Sequence, residues 1–262
     1  MHSATAPHEI GSVTLVVHDL ARVAAFYEIV IGLHRLAADR ASVTLGAGGR
    51  ALLRLRADPA AQRRDRREAG LFHTAFLMPG RADLGRWLHH AAHGGHRLSG
   101  ASDHLVSEAL YLDDPEGNGI ELYADRPRGQ WSHDADGVVM ATGPLDLEGL
   151  AGSADGDWVG APDATVVGHV HLQVGALAPA ERFITETLGF ALTKRYPGAA
   201  FFGSGGYHHH LAANIWASDG AGPRDLPATG LAEVEILTEA PTEPAMLHDP
   251  WGTRFALRPK AG

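Results

Sequence analysis

The chain has 262 residues, with 22 basic and 31 acidic side chains and a formal charge of −9, a balance that argues against a polyanionic partner and so against nucleic acid. It contains no cysteine, which removes disulfides and thiolate chemistry. Residues Met1 to Glu9 hold no apolar leader core and no stretch reaches the ~18 apolar residues of a membrane span, so a cytoplasmic protein with no membrane association is expected.

In chain order, Val13 to Val17 reads as a strand, with Asp19 set to cap a helix whose apolar face is Val23, Phe26, Tyr27 and Val30 and which ends at Gly32. The basic run Arg63, Arg64, Arg66 and Arg67 follows Pro59, is broken by Asp65, and reads as a solvated loop. A second strand, Leu71 to Phe76, carries His73 and leads into a helix with Leu84, Trp87, Leu88, Ala91 and Ala92 as its buried stripe and Gly94-Gly95 as its stop. His89 and His93 fall on the polar face of that helix and read as surface residues. The run Asp114-Pro115-Glu116-Gly117-Asn118-Gly119 reverses the chain between two apolar runs and predicts a hairpin. Alternation on its second strand turns Ile120 and Leu122 to one face and Glu121 and Tyr123 to the other.

From Ala124 to Ala164 periodicity fades, and the stretch reads as an interdomain connection that packs through Trp131 and the Leu145-Asp146-Leu147 region. A third strand, Val167 to Leu172, then precedes a helix predicted to begin at Pro179, to bury Ala180, Phe183, Ile184, Thr187 and Leu188, and to end at Gly189. Tyr207-His208-His209-His210 is assigned to the last strand of that unit, where alternation sets His209 against His208 and His210.

The chain repeats itself. Ile10 to Leu15 matches Val167 to Leu172 at a spacing of 157 residues, and the same spacing relates Phe26 to Phe183, Gly32 to Gly189 and Gly48-Gly49 to Gly205-Gly206. Gly70-Leu71 matches Gly230-Leu231 and Asp114-Pro115 matches Asp249-Pro250 at a shorter spacing, so the last copy has lost about a helix and a strand. Four modules follow, the fourth truncated.

The pattern His104, five residues, Leu110-Tyr111, two residues, Asp114-Pro115-x-Gly117, three residues, Glu121 resembles the signature of extradiol ring-cleaving dioxygenases in the vicinal oxygen chelate superfamily, departing from it at Ser102. The resemblance implies an α+β chain of four βαβββ modules paired into two half-barrel domains: 9–124 with modules one and two, a linker over 125–164, and 165–260 with modules three and four. It also implies metal ligands from the first and last strands of a module. The first-strand positions are Ser12, His73, His169 and Glu233, and the last-strand positions fall near Leu52, Glu121, His209 and Ala256.

The surviving ligands are His73, Glu121 and His169, the two-histidine, one-carboxylate set of non-haem Fe(II) oxygenases. His171 offers the same strand face two residues from His169 and stays open as the alternative. For all three to meet, module two must pair with module three and module one with module four. The resemblance further implies Fe(II), or Mn(II), as the cofactor, a catecholic substrate with O2, His104 and Tyr111 beside the metal, and His209 as the further active-site histidine, with His208 and His210 open beside it. Superfamily members often associate through their sheets, so a homo-oligomer is expected. Rival readings are a glyoxalase-like metal-dependent isomerase or lyase, and a metal-free protein that binds a flat aromatic ligand.

Overall fold

The structure, a computed structural model, describes residues 5–135, 137–239 and 243–260. Module one comprises β1 (His8–Val17), α1 (Leu20–Phe26) with a wider π turn over Tyr27–Ile31, β2 (His34–Ala38), β3 (Ser42–Ala47) and β4 (Arg50–Ala57). Module two comprises β5 (Gly70–Met78), α2 (Arg81–Gly94), β6 (Gly100–Asp103), β7 (Ser107–Asp113) and β8 (Gly119–Asp125). The connection holds a ribbon of β9 (His133–Asp134) and β10 (Gly137–Val138) and the short α3 (Leu147–Ala151). Module three follows with β11 (Val166–Gln173), α4 (Leu177–Arg182) continued by a π turn over Phe183–Thr187, β12 (Ala191–Tyr196), β13 (Ala199–Gly203) and β14 (Leu211–Asn214). Module four has β15 (Gly230–Thr238), β16 (Ala245–His248) and β17 (Arg254–Pro259), with no helix among the described residues.

Two curled sheets result, and they exchange modules across the chain. One runs β16-β17-β15-β1-β4-β3-β2 and the other β12-β13-β14-β11-β5-β8-β7-β6. Modules one and four thus share one sheet and modules two and three the other, the pairing that the ligand positions require, so the half-barrels are not the expected units 9–124 and 165–260 but each draw one module from either side of the connection. The first strands of paired modules lie antiparallel at each centre, β1 on β15 and β11 on β5. One apolar cluster joins the inner faces of both sheets to the helices, taking in Leu15, Phe76, Ile120, Leu122, Val170 and Phe255. Among the described residues no helix is long and apolar enough to cross a membrane.

Local sequence accounts for most of the elements. The Asp19 carboxylate accepts from Arg22 N at the start of α1, and Gly32 and Gly95 close helices in the left-handed region with φ of 80° and 67°. The π turns, over Tyr27–Ile31 and Phe183–Thr187, recur within one residue of the spacing of the duplication, so they belong to the repeated unit. Two helical assignments need correction. The helix of module three begins at Leu177, two residues before Pro179, because proline is tolerated anywhere in a first turn where its missing N–H has no partner to lose. Thr187 and Ala92, assigned to buried stripes, are exposed.

β11 is irregular where it matters most. Its pairing with β5 shifts register between Val167 and His169, a bulge that holds Gly168. A Cβ at Gly168 would stand 1.8 Å from the hydroxyl oxygen of Tyr123 and 2.9 Å from Leu77 Cβ, both on fully buried side chains. Gly168→Ala is therefore expected to destabilise the protein by about 1 to 3 kcal/mol, the usual penalty for overpacking a core. A urea midpoint unchanged from wild type would contradict that close approach.

Candidate metal centre

The centre is built on the two antiparallel first strands of the mixed sheet. On β5 and β11, His171 pairs with His73 and His169 pairs with Ala75, while Ala75 pairs in parallel with Glu121 on β8. His73, His169 and Glu121 are thereby turned to one concave face. Their donor atoms converge: His73 Nε2 lies 2.9 Å from Glu121 Oε2, His169 Nε2 lies 3.2 Å from the same oxygen, and the two imidazole nitrogens are 3.2 Å apart. All three residues are buried. It is the only group of three or more His, Cys, Asp or Glu among the described residues whose ligand atoms gather closely enough to hold a metal ion.

The spacing fits a cation. Donors about 2.1 Å from one ion and at right angles to each other stand roughly 3.0 Å apart. The electrostatics fit as well. Burial pushes the His169 pKa down to about 4, against the pull of Glu121, so the ring is neutral near pH 7. Burial opposes ionisation of Glu121, but the attraction and hydrogen bonds of the His169 and His73 imidazoles outweigh it and hold its pKa well below the carboxylate range. An ionised carboxylate beside a neutral ring is the state a cation needs.

The other predicted residues line the same cavity, of about 450 Å³, as do His73, Glu121 and His169. His104 lies just before β7, with Nδ1 2.8 Å from Ala141 O and Nε2 2.7 Å from Tyr111 Oη. A carbonyl only accepts, so Nδ1 carries the hydrogen and, in the neutral ring, Nε2 accepts from the tyrosine hydroxyl. Burial, then the nearby Glu121 carboxylate, pushes the Tyr111 pKa well up, so the hydroxyl keeps its proton.

His209 enters from a different element than expected. His208, His209 and His210 precede β14 rather than lying on it, because the Gly205-Gly206 turn delays the strand to Leu211. By ladder register the counterpart of Glu121 in module three is Ala212, which pairs with His171 as Glu121 pairs with Ala75. A small apolar residue so occupies the position opposite the carboxylate, and His209 reaches the cavity from the preceding turn. Of the three histidines, His209 lines the cavity; His208 meets Asp125, and His210 Nδ1 accepts from Ser204 N at 3.2 Å. His171 also lines the cavity, but its Nε2 accepts from Asn214 Nδ2 at 3.0 Å.

Several contributors escaped the sequence reading. Phe72, Phe201 and Trp216 supply aromatic walls, and Met140, Ala141 and Thr142 come from the stretch read as a connection. That stretch does pack through Trp131 and, by way of α3, through Leu150, whereas Leu147 is exposed. Strand alternation from His73 places Phe72 on the opposite face, so no period could have found it; Asn214, at the end of β14, was discoverable only once the register of that strand was known. In the other sheet the equivalent positions carry no such cluster among the described residues: Ser12 donates to Glu235 and Glu233 pairs with Arg254.

Paired half-barrels with two histidines and one carboxylate on the floor of one of them define a class, and the chain belongs to it: the Glyoxalase/Bleomycin resistance protein/Dioxygenase superfamily, whose family model matches residues 9–122 and 166–248. It is 43% identical over 240 residues to the catechol-2,3-dioxygenase of Bacillus subtilis (strain 168), across 87% of this chain and 82% of that one. Among solved structures it is similar in fold to glyoxalase I from Zea mays, at a TM-score of 0.56 and 16% identity over 95% of this chain and 92% of that one. It is likewise similar to the cppA protein from Streptococcus pneumoniae TIGR4, at a TM-score of 0.56 and 12% identity over 96% of this chain and all of that one.

Proposed function

We propose that this protein is an extradiol dioxygenase that opens the ring of a catechol-type substrate with O2, with Fe(II) as the metal held by His73, Glu121 and His169. The observation that carries the reading is the convergence of those three donors on the cavity that also receives His104, Tyr111 and His209. The likeness to a catechol-2,3-dioxygenase supports it. When bound, Fe(II) supplies Lewis acidity toward the diol and an electron path to O2.

The chain's own groups would do the rest. One carboxylate leaves a divalent ion with a single net positive charge, which a monoanionic catecholate neutralises. His209, kept neutral by burial that lowers its pKa well below the ordinary value, is able to accept a proton from the diol and return it later. Tyr111, protonated, would turn its hydroxyl from His104 Nε2 to an oxygen of the substrate. Phe72, Phe201 and Trp216 clasp the ring and exclude water.

Anaerobic reconstitution with Fe(II), followed by catechols and air, tests the reading. One O2 consumed per diol and a yellow ring-fission product are expected. Metal-dependent turnover without O2 uptake would instead indicate an isomerase or lyase, and ligand binding undiminished by chelator would indicate a metal-free binding protein.

A further inference from the structure

His209 does not stand alone behind the cavity. Its Nδ1 lies 2.8 Å from Nδ1 of His208, and Nε2 of His208 lies 3.0 Å from Asp125 Oδ1. His208 is 1% exposed, enclosed by the rings of Trp131, Tyr123 and Tyr207. Asp125 closes β8 on the same strand face as Glu121, and its carboxylate also meets the Tyr207 hydroxyl.

The donor count along this chain has one solution when both rings are neutral. An ionised carboxylate only accepts, so Nε2 of His208 carries its hydrogen and Nδ1 of His208 is a lone pair. Two facing ring nitrogens at 2.8 Å share one proton, and it must then reside on Nδ1 of His209. We infer that Asp125 and His208 are positioning residues that fix His209 as its Nδ1–H tautomer, leaving Nε2 unprotonated as the atom offered to a hydroxyl in the cavity. The wrong tautomer would present a donor where a proton acceptor is required. The inference rests on the proposed role of His209 toward a diol, and it extends the site by Asp125, which the sequence pattern does not single out, and by His208, which that pattern leaves open beside His209.

A two-bond ¹H–¹⁵N correlation spectrum of the metal-free protein near neutral pH reads the tautomers directly, with His208→Gln and His209→Gln providing the assignments. The expected spectrum has His209 protonated at Nδ1 and His208 at Nε2. An Nε2–H tautomer for His209, or a doubly protonated His208, would overturn the inference. In steady-state kinetics with catechol, His208→Leu is expected to lower kcat about 100-fold with KM within about threefold, the scale of a lost general acid–base contribution. His208→Gln, whose amide accepts from His209 and donates to Asp125, should recover most of that loss. Equal rates for folded His208→Leu and wild type would also overturn it. If the wild type fails to cleave catechols, the proposed activity falls, and the spectrum still decides the positioning on its own.

Discussion

Glu121→Gln is expected to weaken divalent-cation binding by at least about 100-fold and to abolish catechol-dependent O2 uptake with it. The substitution preserves size and hydrogen-bonding shape, so what it removes is the one negative charge in a buried cluster with two imidazoles. A desolvated divalent ion without an anionic ligand is strongly disfavoured. Loss of an outer partner of a ligand typically costs 10–100-fold in metal affinity, and loss of the charged ligand itself should exceed that range. His171→Gln makes the informative comparison. His171 lies beside His73 and lines the same cavity, but its Nε2 is engaged by Asn214, so its replacement should change affinity by about tenfold or less. Anaerobic competition titrations against a chelator of known affinity measure both variants. Similar losses in the two, or a Glu121→Gln protein that still holds metal within about fivefold of wild type, would contradict the assignment.

The second large effect is acid destabilisation of the metal-free protein. Burial holds the His169 pKa at about 4 in the folded chain and keeps His171 and His209 well below the ordinary value of 6.5. In the unfolded chain all three titrate near 6.5, so between 6.5 and about 4 the unfolded state binds protons that the folded state refuses. Stability is thus complete above pH 6.5 and falls with pH through that window. His169 alone contributes roughly 3 kcal/mol to the fall. Glu121 acts in the same direction at lower pH, since its depressed folded pKa gives stability that is lost as pH drops below the ordinary carboxylate value. Urea midpoints measured in chelator from pH 7.5 to 4.5 should decline steeply, and His169→Gln should decline less. A flat profile would mean that these rings are not buried as neutral groups.

The parts of this arrangement legible in the sequence are those written as alternation or as repetition. The hairpin of β7 and β8 follows from its run of turn formers, and the period of two alone sets Glu121 against Ile120 and Leu122. The exchange of modules between sheets was deducible because only modules two and three kept ligand residues, and only their pairing brings His73, Glu121 and His169 together. What stayed hidden depends on where a strand starts. The Gly205-Gly206 turn shifts β14 enough to take the three histidines off the strand and to leave Ala212 opposite the carboxylate position. The wall formed by Met140, Ala141 and Thr142 lies in a segment without periodicity, held by Trp131 and by the backbone hydrogen bonds of Asp103 with Gly143. Contacts of that kind arise from tertiary packing and leave no local pattern to read.

The most direct test of the central claim is an anomalous-scattering map from crystals grown anaerobically with Fe(II). One ion per chain bonded by His73 Nε2, His169 Nε2 and Glu121 Oε2 is the result expected here. An ion held by His73 and His171 with Glu121 turned away, or density for iron only at surface histidines, would contradict it.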